Sequence, residues 1–212
     1  MPAVTVVVAT GASPLYLHVP GAARLLDHGL HYSITTHAFR SAGKSVAVIG
    51  GTPRSLRGAA ELLRTTEQIY LITANRGMLA TPLGRALHQQ ANVEVLDNAT
   101  IKEVVGVHSV EAVFIESAGY GRCLPVQQLF VDLGLAPNSA LVQGLVTTDA
   151  GGFISVDPRN ATSMPGIFAA GDVTTAMAEQ MAVALGDGVR AAQSAYDYIL
   201  TTALTVRINM VH

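Results

Sequence analysis

The chain has 212 residues, half of them apolar (AVILMFWYC 50%) and only 13% charged, against about 25% charged in an average soluble domain. That balance excludes intrinsic disorder, and the length suffices for one large domain or two small ones. Lys+Arg 13 against Asp+Glu 15 gives a net charge of -2, which leaves no basic footprint for nucleic acid and no polybasic patch for a membrane.

At the N-terminus, Met1-Pro2-Ala3-Val4-Thr5 lacks the basic region of a signal peptide. Apolar runs such as Val6-Val7-Val8-Ala9 fall far short of the ~20 residues that span a bilayer. No membrane partner is therefore expected, although the mean hydropathy is +0.38. In chain order, residues 4–9, 45–49, 68–73, 93–96, 112–116, 129–132, 153–156 and 167–170 read as strands, several almost wholly apolar, as buried parallel strands are. Residues 55–66, 82–91 and 178–200 have helical composition and period. The stretch 45–96 is a β-α-β-α-β series, and hairpin-like strands follow from about 100 to 116. Pro137-Asn138 marks a turn, and residues 201–212 read as a tail. Strands alternating with helices predict an α/β fold with a doubly wound, Rossmann-like sheet.

Two strand ends carry candidate chemistry. In Gly50-Gly51-Thr52-Pro53-Arg54-Ser55, Gly50 fits the first glycine of a GxGxxG/A turn, which lets a pyrophosphate approach a helix N-terminus. Thr52 and Ser55 take the other two glycine positions, and Pro53 removes an amide donor. The turn is therefore either a weakened nucleotide site built on Gly50, Gly51 and Ser55 or a tight strand-to-helix turn without ligand. After 68–73, no acidic residue is placed for a ribose hydroxyl, and Arg76 is the one cation, either a ligand for phosphate or a solvated loop arginine. At the second strand end, Gly171-Asp172, the carboxylate either accepts hydrogen bonds from a polyol or caps the following helix. Gly171 permits close backbone approach in both cases. Cys123 is the single cysteine, so no internal disulfide, CxxC chemistry or Cys-rich metal site is open, and the composition suits a reduced, cytoplasmic setting. The seven histidines show neither HxH nor HxxxH spacing, and no metal site is expected. Met177, Met181 and Ala182 read as core.

Four stretches in fixed order carry a resemblance: Val6-Val7-Val8-Ala9-Thr10-Gly11-Ala12-Ser13-Pro14, Val46-Ala47-Val48-Ile49-Gly50-Gly51, Gly134-Leu135-Ala136-Pro137-Asn138, and Met164-Pro165-Gly166-Ile167-Phe168-Ala169-Ala170-Gly171-Asp172. Over residues 4–200 the chain resembles the thioredoxin reductase branch of the pyridine nucleotide-disulfide oxidoreductases, flavoproteins with two dinucleotide-binding domains. The resemblance implies that residues 15–134 form an NAD(P)-binding-like domain inserted into a partial FAD-binding domain made of 1–14 and 135–200. The front half of that flavin domain, with its pyrophosphate turn, is expected to be missing. Asp172 would hold the ribityl chain of FAD, with Thr10, Gly11, Gly171 and Gln180 nearby. Glu179 stands where relatives carry a cation, and the His-Arg-Arg cluster for a 2′-phosphate is absent. The resemblance also places Ser33 and Thr36 at the two positions of the family's CxxC pair, and hydroxyls cannot cycle between dithiol and disulfide. No catalytic residue is then expected, FAD binding would be weak or partner-dependent, and NAD(P)H binding would be weak.

The function implied is a thioredoxin reductase-like oxidoreductase homologue without dithiol activity, truncated or completed by a complementing subunit. The alternative is a non-catalytic nucleotide-binding or interaction subunit. An uncovered apolar side in the 135–200 region would favour a homo-oligomer, a dimer at least, or such a complement.

Overall fold

The computed structural model describes residues 3–73, 76–117, 119–175 and 179–209, with the side chains of 76, 78 and 203–209 left out. In chain order the elements are β1 (Val6–Val8), β2 (Ala12–Pro14), β3 (Leu30–His31), α1 (Ile34–His37), β4 (Ser45–Gly50), α2 (Pro53–Leu62), β5 (Gln68–Thr73), α3 (Pro82–His88), β6 (Val93–Asp97), β7 (Ala99–Val105), β8 (Ala112–Ser117), β9 (Tyr120–Pro125), β10 (Gln128–Asp132), β11 (Leu135–Pro137), β12 (Ile167–Ala169) and α4 (Met181–Asn209). They fall into two compact units, one of Met1–Ser13 with Leu135–His212 and the other of Pro14–Gly134.

The 14–134 unit is built on a five-stranded parallel sheet of order β3-β10-β4-β5-β6. β-branched residues dominate β4, and alternate side chains go to opposite faces. Val46 and Val48 join Ile69, Leu71 and Phe130 against Leu56, Ala59 and Leu62 of α2 and Leu87 of α3. Ala47 and Ile49 join Ile72, Leu129 and Val131 on the other face. That second face is covered by the antiparallel sheet β7-β8-β9 through Val104, Val113, Ile115 and Leu124. Both faces are therefore dry, which explains the near-continuous apolar strands. α1 packs so closely on α2 that a Cβ on Gly58 would lie 2.2 Å from Ile34 Cδ1.

In the other unit, β1 and β12 pair in parallel, with Val6 opposite Ile167 and Val8 opposite Ala169, although the two strands lie far apart in sequence. Val8, Ala169, Ile154 and Val173 pack on one side, and Phe168 and Ala170 pack on Ala191 and Ala195 of α4 on the other. β2 and β11 form a second short pair.

Several sequence expectations are revised. Residues 153–156 form no strand: Ile154 alone makes single bridges, to Thr148 and Thr174, after Gly151-Gly152, which weaken any strand. The first strand shrinks to Val6–Val8. The 201–212 segment is not a loose tail from its start, because α4 runs on to Asn209; Thr201 and Thr202 bond back to the carbonyls of Asp197 and Tyr198 at 2.9 and 2.8 Å. Met181 and Ala182 are exposed rather than core, because the first turn of α4 points them away from the Phe168–Ala170 strand that Ala191 and Ala195 cover; Met177 lies outside the described residues. Among the described residues no helix is long and apolar enough to cross a membrane.

Candidate functional site

The turn after β4 is closed on itself. A Cβ on Gly50 would lie 2.3 Å from the Asp132 carbonyl oxygen and 2.8 Å from Ser55 Cβ. Close backbone approach therefore demands glycine there whether or not a ligand binds. At the start of α2, Ser55 N donates to Thr52 Oγ1 at 3.0 Å and Thr52 N donates to Ser55 Oγ at 3.1 Å. This is a reciprocal capping box with Pro53 in the first helical turn.

Asp132 ends β10 opposite Gly50 in the parallel register. Its buried carboxylate accepts from the Thr52 hydroxyl at 3.0 Å, from Arg54 Nε at 3.0 Å, from a terminal Arg54 nitrogen at 2.5 Å and from Gly134 N at 3.3 Å. A dinucleotide pyrophosphate in this fold is held by amides and positive charge at the helix N-terminus. Here the Thr52 and Ser55 amides bond within the turn, Pro53 has none, and a carboxylate already neutralises Arg54. The residues present fit a pyrophosphate poorly. A cleft of about 390 Å³ opens beside the turn, lined mainly by apolar groups including Leu17, Ile49, Ile72 and Ile101. Arg76 opens a 3-10 turn, Arg76–Ala80, and its side chain lies outside the described residues.

Ser33 and Thr36 lie at the start of α1. Their hydroxyl oxygens are 2.9 Å apart, and Ser33 Oγ also accepts from Thr36 N at 3.3 Å. His37 Nδ1 stands 3.2 Å from the Ser33 carbonyl oxygen. The His37 ring stacks on His31, with centroids 4.0 Å apart and planes 11° from parallel. Burial, and then the proximity of His37, holds the His31 pKa below its ordinary value.

The remaining candidates sit in the other unit. Thr10 and Gly11 are engaged by Asn138: the Thr10 hydroxyl donates to its carbonyl at 2.7 Å, its side-chain amide donates to Thr10 O at 2.9 Å, and its backbone amide donates to Gly11 O at 2.9 Å. Gly171 opens the 3-10 turn Gly171–Val173 with φ +73, and its amide donates to Asp187 Oδ2 at 3.3 Å. Asp187, buried on α4 and paired with Arg190, thus fixes the turn that presents Asp172. Asp172 is half-buried there. The next α-helix starts only at Met181, so Asp172 does not stand at its N-cap. Gln180 is exposed just before α4.

The candidate residues are thus brought together in two groups. Gly50, Gly51, Ser55, Ser33 and Thr36 belong to one unit, and Thr10, Gly11, Gly171, Asp172 and Gln180 to the other. Sequence reading missed Asp132, Asp187 and the His31–His37 stack. A carboxylate closing the apolar run Leu129-Phe130-Val131 was the available signal for Asp132.

Comparison with known proteins agrees with this architecture. The chain is 34% identical over 199 residues to alkyl hydroperoxide reductase F of Staphylococcus aureus (strain MRSA252), covering 92% of this chain and 39% of that protein. It is 33% identical to an NADH dehydrogenase of Bacillus subtilis (strain 168), with the same coverage. Among solved structures, thioredoxin reductase from Streptococcus pyogenes matches with TM-score 0.78 and 28% identity, over 93% of this chain and 66% of that one. Thioredoxin reductase from T. acidophilum matches with TM-score 0.74 and 28% identity, over 92% and 66%. The chain therefore spans about two fifths of the curated relatives and just under two thirds of the solved ones. A profile described as pyridine nucleotide-disulphide oxidoreductase matches residues 1–195, nearly the whole of both units, and the chain belongs to that family.

Proposed function

We propose that this chain is a thioredoxin reductase-like oxidoreductase homologue that lacks dithiol–disulfide activity and depends on a complementing polypeptide for any flavin chemistry. The observation that carries this reading is the Ser33–Thr36 hydroxyl pair, 2.9 Å apart, at the positions where the family resemblance puts the redox cysteines. Neither hydroxyl can form or break a disulfide. Cys123, the only cysteine of the chain, is exposed on β9.

The 14–134 unit is read as NAD(P)-binding-like and the other as the later part of an FAD-binding domain. A bound flavin would supply hydride and electron transfer. This chain's own part would be the Asp172 carboxylate as acceptor for a polyol hydroxyl, with Gly171 steadied by Asp187. Support for a complement, or for a second copy in a homo-oligomer, comes from exposed apolar groups of the same unit: Val6 and Val7 on β1, and Met181, Leu185 and Val189 at helical spacing on α4. A cytoplasmic setting suits the lone cysteine. A second reading, a non-catalytic nucleotide-binding or interaction subunit, is favoured by the self-closed turn at Thr52–Ser55 and Asp132.

The test is the visible spectrum of the purified chain together with NAD(P)H-dependent reduction of a chromogenic disulfide, with and without added FAD. A colourless protein without turnover is expected. A stoichiometric flavin complex that reduces the disulfide would overturn both readings.

A further inference from the structure

His31 is the most deeply buried titratable group near α1, with 1% of its surface exposed. Its Nε2 faces Gln128 Oε1 at 3.1 Å. An amide oxygen only accepts, so Nε2 carries the proton and Nδ1 carries the lone pair. That buried Nδ1 has no hydrogen-bond partner. It points toward Asp27 Oδ1 at 3.8 Å, too far for a hydrogen bond. The same logic fixes His37: the Ser33 carbonyl oxygen at Nδ1 takes the proton there and leaves the lone pair on Nε2. An acceptor on the outer nitrogen of each ring leaves the other nitrogen of each for a ligand, the arrangement that orients metal-binding histidines. One ligand atom from each of Asp27, His31 and His37 lies within 4.8 Å of the others.

We propose that Asp27, His31 and His37 form a binding site for a divalent transition metal of the zinc class, with water as the fourth ligand. Two imidazoles and one carboxylate are a donor set that zinc accepts, and ligands at ~2.0–2.2 Å in a tetrahedron stand about 3.4 Å apart. The Asp27–His31 separation needs to close by only a few tenths of an ångström. Because the two rings stack in parallel, the half-buried His37 tilts about its Nδ1–Ser33 contact to bring Nε2 onto the ion. Asp27, whose side chain is 76% exposed, supplies the negative charge and the open side for water. The site does not rest on the nucleotide or flavin reading.

The experiment uses the full chain purified without a histidine tag and stripped with chelator. Titration with Co2+ should give one equivalent bound with visible bands of tetrahedral cobalt, displaced by Zn2+. Asp27→Asn and His37→Gln should each weaken binding by about 100-fold or more, beyond the 10–100-fold typical of losing an outer partner. His88→Gln, exposed at the end of α3 and outside the cluster, should leave it unchanged. Asp27 is exposed enough to lose its charge without unfolding the chain, so that variant decides the matter even if His37→Gln misfolds. Absence of 1:1 cobalt binding, or an affinity unaltered in folded Asp27→Asn, would overturn the proposal.

Discussion

Replacing Asp132 by asparagine should tighten NAD(P)H binding while loosening the fold. The carboxylate accepts four hydrogen bonds, two of them from Arg54, and its side chain is 7% exposed against 35% for Arg54. Asparagine keeps the shape and one acceptor oxygen but removes the charge that holds the guanidinium. Hydrogen bonds to charged groups contribute roughly 1.5–3 kcal/mol, and Arg54 recovers part of that from water. The expected loss of stability is about 1–3 kcal/mol, readable by urea denaturation. Without that carboxylate the guanidinium still lies in the first turn of α2, where an anion also gains from the helix dipole. One charge-assisted contact of about 1.5–3 kcal/mol to a phosphate corresponds to roughly 10- to 150-fold tighter binding. Calorimetry with NADPH and NADH on the unmodified chain, Asp132→Asn, and Arg54→Met combined with Asp132→Asn decides the question. A folded Asp132→Asn that binds no tighter would refute this role for Asp132. A gain that survives in the double variant would refute it equally, because Arg54 is then not its source.

Thr52→Gly with Pro53→Asn opens the capping box and restores one amide donor. NAD(P)H affinity should rise about tenfold and stability should fall by ~1 kcal/mol or less; calorimetry and thermal melts check the two effects, and an unchanged affinity would show that the turn is not a phosphate site at all. Glu94 on β6 is bonded to Arg122 on β9, and that hydrogen bond holds its carboxyl below the ordinary value of 4.5. The folded state then binds this proton less tightly than the unfolded one, so the bridge's contribution is present above that ordinary value and is lost as pH falls through the lowered pKa. Both side chains are more than a third exposed, so Glu94→Gln should cost no more than ~1 kcal/mol at neutral pH. That difference should shrink as denaturation is repeated at progressively more acid pH; a difference independent of pH would refute the assignment.

Local pattern made much of this fold legible. The apolar, β-branched runs at 45–49, 68–73, 93–96 and 129–132 read as strands, several covered on both faces, and they form β4, β5, β6 and β10 of one parallel sheet. The Gly50-Gly51 turn and Asp172 were visible because glycine and acid at strand ends are local signals. Short pairs such as β2 with β11 were not, since three residues carry no period. The chemistry of the turn was hidden for a different reason. Arg54 and Asp132 are 78 residues apart in sequence, and only the register that sets Asp132 opposite Gly50 brings the carboxylate onto the start of α2. Asp27, His31 and His37 sit close in sequence yet show no metal-ligand spacing. Their convergence depends on the fold of the 25–37 segment, and the His31 tautomer on Gln128, 97 residues beyond it. Sequence period determined the long strands and helices; strand register, a property of the assembled sheet, decided which charges meet.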